Sequence, residues 1–544
     1  MKKNYLNEIE KTKKTINLIP YSQIKEKWYK YNGKDLPIMS LLVEDEFSFE
    51  KDEFYDLLNG EKIELEHWII SSVSDEEYAE WVKRMIKDEI MNWEWPNFLY
   101  TRKFFTKIKD FNQKKVLYLF KNLLKGEENS YMSFVFFDWS RYQVWASIEL
   151  HLSIKDGYAQ MNPISWSLPK KNIDSIYSFL EDQKEINELF HSVDEELKMM
   201  AVICEKWWVI KWPFLKEMNS LIHTEYYLIG ESTLDPIDAL RESLFACTVT
   251  WWPIENACRI ISKYEKDSRR YYAWVLALFD WKDLDSTILI RTVEIDKEGN
   301  LTYQVGASIV LDSDPFKEAI ETRAKAEGIL KAIDWTIEKF SPKLQVIQRD
   351  FLEKRNKRLS KFLLNKQQKK DQLNYKILTI NNWDNFTYTL SHFLKNMWNV
   401  VNVVNRKDFF YKDEDIVIIG PWPGNPNQMP DLISMTEKIL KLNCKVIGIC
   451  LWHQAISKVL GYEVVRKDSP TQWIALDIEV FWKKERFGFY NSFAPIWDER
   501  EWIKLSKTGK YIDVLKTGNI YSMQFHPESI LSENGYKFLL DILN

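Results

Sequence analysis

A cysteine, a histidine and a glutamate near the C-terminal end have the types and the order of a nucleophile, its base and an orienting carboxylate. Cys450 lies in the run GICLWHQ, and His526 and Glu528 lie in the run QFHPE. A hydrophobic strand over 445–449 is predicted to lead into Cys450 with a helix after it, and a second strand over 520–525 leads into His526. A thiolate that is activated by an imidazole attacks amides and esters. The three residues therefore predict covalent catalysis on an amide or an ester.

The length, charge and cysteine content restrict the class of protein. A chain of 544 residues is too long for one hydrophobic core, so two or more domains are expected. The net charge of -5 argues against a general nucleic-acid-binding protein. The five cysteines include no CxxC pair, which argues against a zinc site or a disulfide framework and fits a reducing cytoplasm. No apolar segment has the length of a signal peptide or a membrane span, so we expect a cytoplasmic protein without a membrane partner.

Tryptophan is unusually frequent in this chain and glycine is unusually rare. The chain has 24 Trp and only 16 Gly, although glycine alone makes up about 7% of an average protein. Tryptophan also occurs where a tight turn calls for glycine, as in GPWPGNP and CLWHQ, because glycine tolerates positive φ and close backbone approach and a bulky side chain does not. We hypothesise that many of these codons are UGA, read as glycine in the source cell and translated here as tryptophan. UGG codons would end this hypothesis, and the alternative is a tryptophan-rich protein with ordinary turns.

The pattern of strands and helices changes along the chain. Residues 1–348 mix the two without an obvious internal repeat, which predicts an α+β domain. Residues 349–374 are highly charged and are interpreted as a solvated helix or a linker. From 375 to 544 short strands alternate with helices, which favours a mostly parallel α/β sheet. Strands are expected over 134–137, 287–295, 301–309, 376–380, 415–419 and 445–449, and helices over 194–204 and 314–332.

Residues 375–544 resemble the class I glutamine amidotransferases through the motifs around Cys450 and His526. The resemblance implies that Cys450 is the nucleophile, that His526 is its base and that Glu528 orients the imidazole. Attack of the thiolate on the side-chain amide of glutamine forms a glutamyl thioester and releases ammonia. The backbone N–H groups of Leu451 and Trp422 would stabilise the oxyanion that develops during this attack. The resemblance further implies that substrate glutamine is held by Gly424, Gln454, Ser492 and Phe493.

Two residues depart from the amidotransferase pattern. Trp422 and Trp452 are located where the family has glycine. A backbone N–H survives this change, but an indole would crowd the glutamine pocket or the turn. We therefore expect little glutaminase activity if both tryptophans are genuine, and an inactive or regulatory remnant is then the alternative interpretation.

Residues 1–348 resemble the chorismate-utilising enzymes, the group of the anthranilate synthase large subunits. The resemblance is carried by MNPIS at 161–165, TVTWWP at 248–253, VGASIV at 305–310 and EAIETRAK at 318–325. Chorismate is a dicarboxylate, so cations and Mg²⁺ must offset its charge. The resemblance implies that Glu321 and Glu196 bind this Mg²⁺, with a register near Glu196 that can shift by one residue.

The same resemblance implies a set of residues that contact chorismate. Glu149 would be the general acid that helps the C4 hydroxyl to leave, although Ile148 precedes it where the family has proline. His223 would be the active-site histidine, with a structural role as the alternative. Relatives that add water to chorismate carry a lysine near the position of Asn97, so an amide there agrees with attack by ammonia. Further contacts with the substrate are implied for Thr248, Tyr272, Arg291, Gly306 and Lys325.

Within this group the chain most resembles the 2-amino-2-deoxyisochorismate synthases of the phenazine type, in fusion order and in motifs such as PFLKEM and ENACR. This implies that ammonia made at Cys450 travels inside the protein to C2 of chorismate while the C4 hydroxyl departs and the enolpyruvyl group is kept. An anthranilate synthase, which also eliminates pyruvate, is the alternative. The resemblance implies chorismate and glutamine as substrates, Mg²⁺ as cofactor and a homodimer.

Overall fold

The structure is a computed structural model, and its contacts divide the chain into two compact units. It describes residues 1–91, 98–204, 206–218, 221–244, 246–251, 254–311, 313–334, 354, 356–365, 372–481, 483–498 and 503–544. The first unit comprises Met1–Ser192, Pro213–Tyr227 and Ser232–Arg349, and the second comprises Val193–Trp212, Leu228–Glu231 and Asp350–Asn544. The helix Gln183–Ile203 and the strands Lys206–Glu217 and Leu221–Glu231 continue from one unit into the other.

The first unit is an α+β structure with two sheets. The larger sheet has ten strands: Lys2–Lys3, Ile38–Leu42, Thr15–Ile19, Val275–Asp280, Asp283–Ile288, Leu150–Lys155, Tyr158–Met161, Leu221–Glu231, Ile164–Pro169 and Lys206–Glu217. The smaller sheet has six antiparallel strands in the order Ile70–Ser71, Phe98–Lys107, Asn300–Ile309, Thr292–Asp296, Arg141–Ser147 and Met132–Phe137. The helices are Leu6–Glu8, Tyr21–Lys27, Lys51–Leu57, Asp75–Met85, Ile86–Ile90, Gln113–Gly126, Lys170–Ser175, Ile176–Glu181, Pro236–Ser243, Cys247–Thr250, Ile254–Tyr264 and Pro315–Asp334.

The smaller sheet is covered by two amphipathic helices. Gln113–Gly126 begins at Asn112, whose side chain accepts hydrogen bonds from the backbone of Lys114 and Lys115, and this satisfies amides that the first turn leaves unpaired. Its apolar face and that of Pro315–Asp334 pack with the sheet in one buried cluster, so the sheet is fixed on this side. The buried members of the cluster include Leu119, Leu123, Val144, Val293, Val305, Ile329 and Ile333.

The predicted elements of the first unit are confirmed with one correction. Strands Met132–Phe137 and Asn300–Ile309 and helix Pro315–Asp334 agree with the sequence pattern. The expected strand over 287–295 is wrong, because one strand ends at Ile288 and another begins at Thr292. Arg291 lies in this break with a φ of 56°, a left-handed conformation that interrupts an extended strand.

The second unit contains a seven-stranded α/β sheet. Its order is Val400–Asn405, Lys376–Asn381, Ile416–Ile419, Lys445–Ile449, Ile520–Met523, Tyr511–Thr517 and Lys504–Thr508. The first five strands pair in parallel, and the last two are added by antiparallel pairings, which confirms the mostly parallel sheet. Its central strands read as continuous apolar runs because both faces are covered. Strands Val464–Val480 and Lys483–Pro495 form a separate hairpin, and the helices are Lys361–Leu364, Phe386–Asn396, Arg406–Asp408, Pro426–Gln428, Pro430–Ile439, Leu451–Val459 and Gly535–Leu543.

Two expectations concern the C-terminal half of the chain. The strand predicted over 520–525 ends at Met523, so the last residues before His526 are already outside the ladder. Much of the charged segment over 349–374 lies outside the described residues, and the predicted domain bounds stay a prediction. Across the described part of the chain, no helix is long and apolar enough to cross a membrane.

Candidate active sites

Cys450 occupies a sharp turn between the strand Lys445–Ile449 and the helix Leu451–Val459. Its φ and ψ are 56° and −109°, and its N–H donates to the carbonyl of Met523 on the neighbouring strand at 2.8 Å. A non-glycine residue in such a conformation is strained, and strain of this kind is concentrated at functional sites. The turn places the sulfur at the N-terminal end of a helix, beside amide groups that have no partner within the helix.

His526 and Glu528 complete this site in buried surroundings. Nδ1 of His526 lies 2.9 Å from Oε1 of Glu528, and both side chains are almost fully buried. Burial lowers the pKa of His526, but the negative charges of Cys450 and Glu528 outweigh it and raise the pKa to about 10. The cationic form of the imidazole is therefore stabilised next to the sulfur of Cys450, as suits the base of a cysteine nucleophile.

Two of the residues predicted to hold glutamine are linked to Cys450 or to its neighbour: Gln454 through Gln524, and Gly424 through Leu451. Gln454 donates to the carbonyl of Phe493 at 2.7 Å and to Oε1 of Gln524 at 3.1 Å. Gln524 in turn directs its amide towards Sγ of Cys450 at 3.9 Å. An added Cβ on Gly424 would meet the side chain of Leu451 at 3.6 Å, so the two predicted loops approach each other. Ser492 accepts a hydrogen bond from Gln472 at 3.3 Å on the opposite strand of the hairpin.

Tyr490, in the segment predicted to hold glutamine, pairs with Asp194, and this pairing was not predicted from the sequence. The Tyr490 carbonyl lies 3.9 Å from Sγ of Cys450, and its ring packs edge-on against His526 with centroids 4.6 Å apart. Its hydroxyl contacts the carboxylate of Asp194 and Oγ of Ser529. Asp194 also accepts from Ser529 and from the backbone N–H of Ile530 at 2.8 Å. No short motif could reveal this, because 296 residues separate Asp194 from Tyr490.

The two tryptophans that replace expected glycines pack into the core of the second unit. Trp452 is fully buried in a cluster with Leu378, Ile419 and Leu432, and Trp422 packs against the same cluster. The guanidinium of Arg406 lies 5.2 Å from the ring centroid of Trp422. The indole N–H of Trp452 has no hydrogen-bond partner among the described residues.

A cavity of about 100 Å³ in the first unit collects most of the residues predicted to contact chorismate. It brings together the predicted Glu149, His223, Thr248, Tyr272, Arg291, Gly306, Glu321 and Lys325. The cavity is also lined by residues that were not predicted as contacts: Leu99, Ile148, Ile164, Ser192, Val249, Trp251, Ile290, Tyr303, Val305 and Ser308. Asn97, which was predicted to face the substrate, lies outside the described residues.

Glu149 is a buried carboxyl group that lines this cavity. Its carboxylate accepts a hydrogen bond from Oγ1 of Thr248 at 2.8 Å, and its backbone carbonyl accepts from Oγ1 of Thr287 at 2.7 Å. Burial raises the pKa of Glu149 to about 8, against the lowering effects of Thr248 and Lys216. The carboxyl group is therefore largely protonated at neutral pH and can donate a proton.

Two cationic groups face the same cavity. Nη2 of Arg291 lies 3.0 Å from Nε2 of His223, and because a guanidinium only donates, Nε2 must accept and His223 is neutral. Lys325 donates to the carbonyl of Gly306 at 2.9 Å and pairs with Glu321 at 2.7 Å. These charges suit a substrate that carries carboxylates.

The carboxylates fit the requirements of a magnesium ion. Glu321 lines the cavity with a half-buried side chain, and Mg²⁺ is commonly held by one or two carboxylates together with water and substrate. Within the described ranges, no group of three His, Cys, Asp or Glu side chains is spaced to hold a metal. On the helix Gln183–Ile203, Glu195 pairs with Lys198 and Asp194 binds Tyr490. Glu196 as the second ligand, with its register, stays a prediction.

A buried ion pair supports the cavity wall and was also missed by sequence reasoning. Arg269 binds both carboxylate oxygens of Glu265 and donates to the carbonyls of Leu99 and Val249, which line the cavity. Glu265 also accepts from the N–H and hydroxyl of Thr101. Only the four-residue spacing of the two charges hinted at the pair, and such spacing is common on exposed helices.

Comparisons with known proteins identify a family for each half of the chain. Residues 56–331 match the family described as chorismate binding enzyme, and residues 378–543 match glutamine amidotransferase class-I. The chain therefore belongs to the chorismate-binding enzymes and carries a fused class I glutamine amidotransferase domain.

Two relatives narrow the group. The chain is 37% identical to "Anthranilate synthase, phenazine specific" of Pseudomonas chlororaphis, over 97% of this chain and 87% of the relative. It is 36% identical, with the same coverage, to the protein of that name from Pseudomonas fluorescens. "Anthranilate synthase" of Azospirillum brasilense is 25% identical over 77% of this chain and 58% of the relative. The protein is a glutamine-dependent, chorismate-utilising enzyme of the phenazine-type anthranilate synthase family.

Proposed function

We propose that the protein converts chorismate and glutamine into 2-amino-2-deoxyisochorismate and glutamate; the water consumed in hydrolysis of the thioester equals the water released from C4 of chorismate. The observation that carries this proposal is Glu149, a buried acid with a pKa raised to about 8 in a cavity that also contains Arg291 and Lys325. A proton donor for a departing hydroxyl and cations for carboxylates are the groups that this reaction needs.

The glutaminase half follows from the geometry around Cys450. The sulfur attacks the side-chain carbonyl carbon of glutamine, the C–N bond breaks, and His526 delivers the proton with which nitrogen leaves as ammonia. Glu528 holds the imidazole in position through Nδ1. Leu451 and Trp422 supply the predicted oxyanion N–H groups, and water hydrolyses the thioester to glutamate.

The synthase half uses the ammonia released at Cys450. Ammonia forms a bond to C2 of chorismate, the ring double bonds shift, and the C4 hydroxyl leaves as water with the proton of Glu149. Arg291 and Lys325 bind carboxylates of the substrate, and the neutral His223 accepts from Arg291 and keeps its guanidinium in place. A Mg²⁺ held by Glu321 and Glu196 would offset the negative charge of the substrate.

Replacement of the nucleophile tests the division of labour. In Cys450→Ser, made in the chain with glycine at positions 251, 422 and 452, the glutamine-dependent reaction should fall by at least about 10³-fold, whereas ammonium salt should restore amination of chorismate. Product mass identifies the reaction, because retention of the enolpyruvyl group supports the proposal and anthranilate with free pyruvate contradicts it. Loss of the ammonium-dependent reaction in a folded Cys450→Ser protein would also contradict it.

The same family likeness supports a cytoplasmic lyase that forms a homodimer. Light scattering of the purified protein gives the molar mass directly, and a monomer at micromolar concentration would contradict the dimer.

A further inference from the structure

Tryptophan dominates the non-glycine residues with a left-handed backbone. Fifteen such residues have a positive φ among those that the structure describes, seven of them are tryptophan, and no other residue type contributes more than two. The seven are Trp28, Trp139, Trp251, Trp281, Trp383, Trp398 and Trp473. Positive φ is rare for bulky residues and routine for glycine. Tryptophan has no side-chain chemistry that favours this conformation, unlike Asn or Asp.

Trp281 illustrates the turns in this group. It is the first residue of a two-residue hairpin loop, since Asp280 pairs with Asp283 across it, and its φ is 55°. Hairpin loops of this length need a positive φ at the first position and take glycine, asparagine or aspartate there. The indole is 70% exposed, so packing does not account for a tryptophan at this turn.

Trp251 is the member of this group that lines the chorismate cavity. Its φ and ψ are 75° and −176°, a region that is essentially restricted to glycine. The side chain is buried, and its indole N–H has no hydrogen-bond partner among the described residues. A buried indole N–H usually has a partner. Both the backbone conformation and the indole N–H without a partner are therefore unfavourable for tryptophan at this position.

The size of the cavity gives a third argument. Its volume is about 100 Å³, whereas pockets for small molecules usually measure about 300–1,000 Å³. The Trp251 indole packs against His191, with centroids 5.0 Å apart, and shares a buried cluster with the cavity residues Leu99, Val249 and Tyr272. Loss of this indole would open the wall of the cavity on the side of those residues.

We propose that the working enzyme has glycine at position 251 and at the six other left-handed tryptophans, and that the bare backbone at 251 forms part of the chorismate pocket. The side chain at position 251 then determines whether chorismate fits, and a tryptophan at this position blocks the pocket. The pocket argument rests on the proposed function, whereas the backbone argument is independent of it.

Glycine and alanine at one position separate the backbone effect from the removal of the ring. Full-length Trp251→Gly and Trp251→Ala leave nearly the same space, so their difference in unfolding temperature reports the backbone. We expect the glycine variant to unfold at the higher temperature. The matched control is Trp81 in the helix Asp75–Met85, where alanine should unfold at the higher temperature. A more stable alanine variant at 251 would overturn the proposal.

Chorismate binding tests the pocket. Calorimetric titration with chorismate and Mg²⁺ should give at least tenfold tighter binding for Trp251→Gly than for the chain that carries tryptophan at both positions. Trp281→Gly should bind chorismate as that chain does. Trp251→Gly could unfold at a higher temperature than Trp251→Ala while neither Trp251→Gly nor the chain with Trp251 binds chorismate. In that case the glycine assignment is retained and the proposed function fails. Equal binding by the two proteins would overturn the blocking role of the indole.

The native residue can be identified directly. Peptide masses of the protein from its source cell should show glycine at position 251 and at the exposed turn position 281. Tryptophan at these positions, or UGG codons in the gene, would overturn the proposal.

Discussion

The glutaminase site and the chorismate cavity are built in different ways. Cys450 and His526 follow two adjacent parallel strands of one sheet, and Glu528 is two residues further on, so short motifs specify the whole triad. The chorismate cavity takes its residues from segments spread between Leu99 and Lys325. The triad therefore depends on one sheet edge, whereas the cavity depends on the placement of many segments and on the size of a single side chain at 251.

The two sites also differ in the charge of a buried residue that transfers a proton. Burial disfavours charge on His526, but the neighbouring Cys450 and Glu528 reverse the effect and its pKa is raised to about 10. Glu149 lacks such an overriding partner, and burial raises its pKa to about 8. One buried group is thus held charged and the other neutral. The difference shows that the nearest charges, and not burial alone, decide which proton each site can give or take.

Removal of the acid should separate the two sites most strongly. In the enzyme with glycine at positions 251, 422 and 452, Glu149→Gln keeps the shape and the hydrogen bond to Thr248 but cannot donate a proton to the hydroxyl, so amination should fall by about 10²–10⁴-fold. Glutaminase activity, measured as glutamate release, should persist. In the parent enzyme with glutamine as nitrogen source, amination should decline as the pH rises above about 8, since the protonated acid is the active form. A profile that rises through this range would contradict the role.

Arg269 tests whether the cavity depends on its buried support. Arg269→Ala leaves Glu265 buried without its partner, and breaking a buried ion pair costs about 3–5 kcal/mol. We expect a lower unfolding temperature and a higher KM for chorismate. Glutaminase activity at a temperature where the variant is folded serves as the control, and an unchanged KM would show that the pair does not shape the cavity.

Tyr490 tests how finely the triad is positioned. Tyr490→Phe keeps the ring against His526 but removes the hydroxyl contacts to Asp194 and Ser529. Loss of a hydrogen bond to a buried carboxylate costs about 1–3 kcal/mol, so we expect a several-fold to hundredfold lower glutaminase kcat with little change in KM. Amination supported by ammonium salt should be unchanged. A parallel loss of both activities would indicate a general effect on folding.

Replacement of Trp281 should have the smallest effect, a change in stability. It tests the glycine assignment at a turn away from both sites. Trp281→Gly relieves a left-handed non-glycine residue and should stabilise the protein by about 1–2 kcal/mol. The adjacent Lys282→Gly, which has no positive φ to relieve, should destabilise it slightly. Denaturant unfolding of the two variants gives the comparison, and the opposite order would contradict the glycine assignment for this turn.

The sequence predicted the parts of the protein that local patterns control. The strands around Cys450 and most of the cavity residues were predicted because continuous apolar runs and contiguous motifs specify them. The break at Arg291 was not, since β-branched residues on both sides read as one strand. Asp194 with Tyr490, and Arg269 with the cavity carbonyls, were missed because they pair residues that only the tertiary fold brings together.

Isotope transfer tests the central claim most directly. Chorismate and glutamine labelled with ¹⁵N in the side-chain amide would be supplied to the enzyme with glycine at positions 251, 422 and 452, and the product mass would be measured. The account predicts a ring-aminated product that contains the ¹⁵N label and retains the enolpyruvyl group, with one glutamate formed for each product. An unlabelled product, or glutamine consumption without amination of chorismate, would contradict it.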